Sequence, residues 1–79
     1  MIIKVKVFAS LREKYLKTKL GEIIPVELEN PSTGRDLLKK LNIPEDEVKL
    51  FIVNSRWRDI DEELSEGDRV GIFPPVGGG

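Results

Sequence analysis

The sequence predicts an α+β domain, a mixed five-stranded sheet carrying one main helix on one face, with an extended tail at its end. Three observations carry this expectation. Residues 2–8 and 69–73 alternate in hydropathy and are rich in β-branched residues. Residues 33–41, TGRDLLKKL, hold the one clear helical pattern. The remaining apolar segments are short and bounded by turn residues, so the order is strand, strand, helix, strand, strand, strand.

In residues 2–8, Ile3, Val5 and Val7 share one face, and Ile2, Lys4, Lys6 and Phe8 share the other. Leu11, Tyr15 and Leu16 in the charged stretch that follows suit one or two helical turns before a loop ending near Gly21. Residues 23–28 form a second strand, with Ile24, Val26 and Leu28 facing one way. Pro25 has no N–H and marks it as an edge strand. Thr33 and Asp36 have capping-box spacing, Leu37, Leu38 and Leu41 form the apolar stripe, and Asn42 with Pro44 ends the helix. Gly34 is unfavourable in so short a helix by about 1 kcal/mol relative to Ala. Residues 50–54 read as a buried third strand, Asn54-Ser55 as a turn, and residues 56–58 as a short fourth strand. Leu64 is expected to plug the core, and Glu66-Gly67-Asp68 to turn into the last strand, with Val70 and Ile72 on one face and Arg69, Gly71 and Phe73 on the other. This is the β-grasp (ubiquitin-like) pattern, in which a right-handed crossover sets the first and last strands side by side and parallel. Residues 1–73 form the domain and residues 74–79 the tail.

With 79 residues, the chain has room for one modest core. It contains no Cys and no His, which excludes a disulfide scaffold, a thiolate nucleophile, a Cys/His zinc site and a histidine base. Residues 1–20 carry six Lys/Arg against one acid, Glu13, whereas residues 21–79 carry seven against thirteen. A net charge of −1 argues against nucleic-acid binding as the main role. No apolar run approaches the roughly 20 residues a membrane span needs. Met1-Ile2-Ile3-Lys4 lacks the shape of a signal peptide, and a cytoplasmic location is expected.

The tail carries the functional signal. Pro74-Pro75 cannot continue a sheet ladder and projects the chain in extended form. Gly77-Gly78-Gly79 is a poor structural ending, because glycine loses the most entropy on ordering. It suits a tail that threads a narrow channel and delivers a bare carboxylate, usable as an acyl group once ATP has activated it. Phe8 and Phe73 fall on the face opposite the helix, with Gly71 leaving a recess and Trp57 able to join them as a docking patch. A passive interaction domain is the alternative, and it expects loss of Gly78-Gly79 to change nothing.

These residues carry a resemblance. Phe8-Ala9-Ser10-Leu11-Arg12-Glu13, Gly67-Asp68-Arg69-Val70 and Phe73-Pro74-Pro75-Val76-Gly77-Gly78-Gly79 resemble the small subunit of molybdopterin synthase (the MoaD type), a ubiquitin-like sulfur carrier. The resemblance implies a non-catalytic subunit whose Gly79 carboxylate, next to Gly78, is adenylated and then thiocarboxylated. It implies a ubiquitin-activating-type adenylyltransferase that consumes ATP, with no cofactor bound by this chain. It further implies a large synthase subunit, in a heterotetramer, that receives the tail. There sulfur passes to precursor Z to form the molybdopterin dithiolene. The partner-binding residues it implies are Phe8, Arg12, Trp57, Phe73, Pro74, Pro75, Val76 and Gly77. Two departures are Gly77, where the family commonly has a slightly larger residue, and Trp57, where an aliphatic residue is usual. Triple-glycine endings also occur in carriers for thiamine synthesis or tRNA thiolation, and protein modification is a further use of the same chemistry.

Overall fold

Alternation along the first strand is realised as an inner face and an outer face. In the computed structural model, which describes residues 1–75, β1 (Ile2–Val7) buries Ile3, Val5 and Val7 and turns Lys4 outward. It pairs antiparallel with β2 (Ile24–Glu27) and parallel with β5 (Arg69–Phe73). On the far side of β5 lies β3 (Leu50–Val53), then β4 (Arg56–Trp57), giving the sheet order β2-β1-β5-β3-β4. The β-grasp expectation, with its parallel first and last strands, holds.

Pro25 lies on an edge strand for the anticipated reason. Its register partner, Lys4, donates its N–H to the Asp68 carbonyl at 2.9 Å, on the β5 side. The Lys4–Pro25 pair is therefore a non-hydrogen-bonded one, and the missing proline N–H faces away from the ladder. β2 is shorter than residues 23–28: Ile23 stays exposed, and Leu28 is buried just past the strand. β4 likewise stops at Trp57. The hairpin before it turns through Asn54 and Ser55, both left-handed (φ 51° and 70°), as a type I′ turn requires. The Asn54 amide fastens this turn to the start of β5, donating to Asp68 Oδ1 and accepting from the Arg69 N–H, each at 2.9 Å.

Between β1 and β2 the chain forms α1 (Ala9–Leu11), which widens into a π-helical turn over Arg12–Leu16 and ends at left-handed Lys17. Leu11 is buried, while Tyr15 and Leu16 pack on the core margin. The main helix, α2 (Gly34–Leu41), covers the inner face through Leu37 and Leu38. Leu64 reaches the core from an irregular stretch, its N–H donating to the Ser32 carbonyl at 2.8 Å. Gly34 has a role that propensity alone does not show. A Cβ there would lie 2.8 Å from the Phe51 ring and 3.0 Å from the Ile60 Cα, so glycine lets α2 settle onto the sheet.

The capping box is complete. The Thr33 N–H donates to Asp36 Oδ2 at 2.9 Å, and the Asp36 N–H donates to Thr33 Oγ1 at 3.3 Å. Thr33→Ala is expected to cost about 1 kcal/mol. The Thr33 backbone bond holds the Asp36 carboxyl below its ordinary range. A lowered folded-state value means that Asp36 stabilises above the unfolded value, about pH 4, and that this is lost as pH falls through the folded one. An Asp36→Ala variant should therefore melt below the parent at neutral pH, with the gap closing as pH falls below about 4 and through the lowered folded-state value. A calorimetric gap that does not change with pH would count against this assignment. Glu47 behaves alike: the Tyr15 hydroxyl donates to it and holds its carboxyl low, fastening the π-helical turn to the Glu45–Glu47 3₁₀ turn.

Candidate functional site: the outer face of the central strands

Side chains on the face away from α2 come from β1, β5 and β3. Phe8 follows β1 directly, and its N–H donates to the Ile72 carbonyl at 3.0 Å, which continues the parallel ladder. That bond sets its ring beside Phe73. The two rings stack nearly parallel, with centroids 4.1 Å apart and planes inclined by 7°. Gly71 makes the stack possible. A Cβ at this position would lie 3.1 Å from Phe73 Cε1 and 3.4 Å from Phe8 Cε2.

The recess expected at Gly71 is a shallow groove of about 350 Å³. Its apolar lining comes from Phe8, Phe73, Ile52 and Ile23. Its charged lining is Lys4, Lys6 and Arg69, with no acid among the lining residues. Lys6 Nζ stands 6.0 Å from the centre of the Phe8 ring. Sequence reasoning left Ile52, Ile23 and the three cations out of the site. The alternation that placed Phe8 and Phe73 outward places Lys4, Lys6 and Arg69 there as well, so the signal was present for them. Ile52 was hidden in a strand read as uniformly buried.

Trp57 sits apart from this group. Its register partner is Ile52, in the row that runs through Gly71 and Lys6, but it does not line the groove and is 72% exposed. Arg12 also lies outside the groove. One Nη donates to the Thr18 carbonyl and the other lies 3.8 Å from Glu13, so the side chain braces its own loop; Nε is buried without a partner.

The ladder ends where the tail begins. The Phe73 carbonyl accepts from the Lys49 N–H at 2.8 Å, and then come half-buried Pro74 and exposed Pro75. Val76, Gly77, Gly78 and Gly79 lie outside the described residues. The stacked pair thus stands directly before the point where the tail leaves the sheet.

The sequence profile of the ThiS family matches residues 5–79. This chain belongs to the ThiS family. It is a ubiquitin-like sulfur carrier of the ThiS/MoaD kind. Among solved structures, this ThiS-family chain is similar to a Pyrococcus furiosus protein described as molybdopterin converting factor subunit 1. That match has 32% identity, 95% of this chain and 98% of the other covered, and a TM-score of 0.75. It is also similar to small archaeal modifier protein 1 from Haloferax volcanii, with 21% identity, 95% and 98% covered, and a TM-score of 0.76. A third is from the complex of subunits 1 and 2 of molybdopterin-converting factor of Helicobacter pylori, with 20% identity, both chains covered in full, and a TM-score of 0.64. The last two likenesses speak to the fold alone. A search of curated proteins gave no match. Among the described residues, no helix is long and apolar enough to cross a membrane, and no acidic cluster is placed to hold a metal ion.

Proposed function

We propose that the chain is the sulfur-carrying small subunit of a molybdopterin synthase. The observation that carries this reading is the full-length likeness, at 32% identity, to the Pyrococcus furiosus converting-factor subunit. In this reading an adenylating enzyme joins the Gly79 carboxylate to the α-phosphate of ATP, releasing pyrophosphate. A sulfide-level sulfur nucleophile then attacks the carbonyl carbon, displaces AMP and leaves a thiocarboxylate. The large subunit, in a heterotetramer, receives the tail, and the sulfur is delivered to precursor Z. The chain's own work is presentation: an outer face to dock with, and a carboxylate at the end of a narrow tail. Its site is cytoplasmic in this proposal, and the ATP belongs to the partner enzyme.

The deciding experiment is the intact mass of the chain after incubation with its adenylating enzyme, ATP and a sulfur source. Exchange of one oxygen for sulfur, lost when Gly78-Gly79 are removed, supports carriage. No exchange, with an enzyme proven active on another carrier, overturns it.

Phe8 and Phe73 are the docking residues in this reading. Phe73→Ala is expected to weaken large-subunit binding by about 30-fold or more, as at an interface hot spot. Stability should fall only by about the worth of one aromatic pair, roughly 0.5–1.5 kcal/mol. A melting loss on the scale of a core Phe→Ala, about 3–5 kcal/mol, would make Phe73 a core residue instead.

A further inference from the structure

We propose that the Gly71 groove takes one apolar side chain from a protein partner whose surrounding surface is acidic, with Lys4, Lys6 and Arg69 receiving the carboxylates. The inference rests on the outer face being the carrier's docking side, and it adds the chemistry of what docks. The charge of the groove departs from the rest of the chain. The whole sequence holds 14 acids and 13 bases, yet the groove lining holds three bases and no acid. Among the described residues none of these three cations is in an ion pair, whereas Lys14, Arg35 and Arg58 all have carboxylate partners. Lys4 and Arg69 are register partners across the β1–β5 ladder, so their charges flank the groove from adjacent strands.

The apolar half is equally specific. Phe8 and Phe73 close over the place a Gly71 side chain would fill, and the groove beside them is walled by their rings, Ile52 and Ile23. That shape admits one inserted side chain rather than a flat apolar sheet. A nucleic acid fits less well. Phe8 and Phe73 each use one ring face on the other, which leaves each at most its outer face for a base to stack on. The chain's net charge of −1 gives no long-range attraction to a polyanion. An acidic protein surface meets the cations at short range, where rim charges set register and association rate.

The test is an NMR titration of the full-length, ¹⁵N-labelled chain with the peptide acetyl-Asp-Glu-Phe-Glu-Asp-amide. The amides of Lys6, Phe8, Ile52 and Gly71 are expected to shift. Replacing the peptide's Phe by Ala, or its acids by their amides, should each weaken binding about tenfold. A Lys4→Gln/Lys6→Gln/Arg69→Gln chain should lose a similar factor while the rest of its spectrum stays in place. Raising salt from about 0.1 M to 1 M, which shortens the screening length from about 10 Å to 3 Å, should do likewise. Absence of groove shifts at saturating peptide overturns the proposal. So does an oligouridylate that moves the same amides at lower concentration, or an amide peptide that binds as well as the acidic one. The titration needs neither the large subunit nor sulfur loading, so its failure is separable from failure of the carrier reading, which the intact-mass experiment decides.

Discussion

Adding one alanine after Gly79 is expected to abolish sulfur transfer while leaving large-subunit binding within about threefold of the parent. This follows from the proposed carrier role. One further residue moves the terminal carbonyl carbon by up to about 3.3–3.6 Å. Acyl transfer needs its reacting atoms about 3–3.5 Å apart, and a misplacement of 1 Å already lowers the rate by about 100-fold. A whole-residue displacement thus puts the carboxylate out of reach of both adenylation and transfer. The docking face should not register the change, since the Phe8–Phe73 stack lies before Pro74-Pro75. Pyrophosphate release with the adenylating enzyme, together with calorimetric binding to the large subunit, separates the two effects. An extended chain that still transfers sulfur would sink the terminal-carboxylate mechanism. One that loses binding as well would show that docking and delivery are not separate.

The second large effect concerns Gly34. Helix propensity says that Gly34→Ala should stabilise α2 by about 1 kcal/mol. Packing says the reverse. The new Cβ would stand 2.8 Å from the Phe51 ring and 3.0 Å from the Ile60 backbone. Phe51 is only 3% exposed, so its ring is enclosed by core and cannot swing clear. Overpacking of this kind costs about 1–3 kcal/mol, or more where backbone must move. The expected net result is a loss of up to roughly 2 kcal/mol, seen as a fall in Tm of up to about 10 °C. Phe51→Leu placed on top should recover part of the loss, because it removes the atoms in the way, and a double-mutant cycle would show the coupling. A Gly34→Ala protein that melts at or above the parent would mean that propensity outweighs the contact.

Gly34 also shows where sequence reasoning stops. The strands were legible because a sheet with one covered face leaves a period of two in the chain, and β1 and β5 carry it cleanly. The helix was legible because Thr33 and Asp36 signal its start locally and Asn42 its end. The end of β5 at Phe73 was legible because neither proline that follows has an N–H to donate to a ladder. What was not legible depends on contacts between distant segments. Gly34 reads as a weak helix residue until Phe51 is set against it. Arg12 reads as free for a partner until Thr18 folds back beneath it. The π-helical turn and the early ends of β2 and β4 carry no local signature strong enough to find. The groove was half legible: Lys4 and Lys6 were already on the face of Phe8, but the absence of any opposing acid appears only when neighbouring strands are brought together.

The parallel pairing of β1 with β5 has a mechanical consequence. The tail leaves from the end of β5, and β5 is bracketed by β1 on one side and β3 on the other. Force applied along the tail therefore acts in shear on both ladders, whose bonds share the load instead of opening one after another as in peeling. A partner that grips the tail and draws on it strains a strand braced by four register pairs on each side. A load on the tail is thus spread over two ladders at once rather than concentrated on one bond.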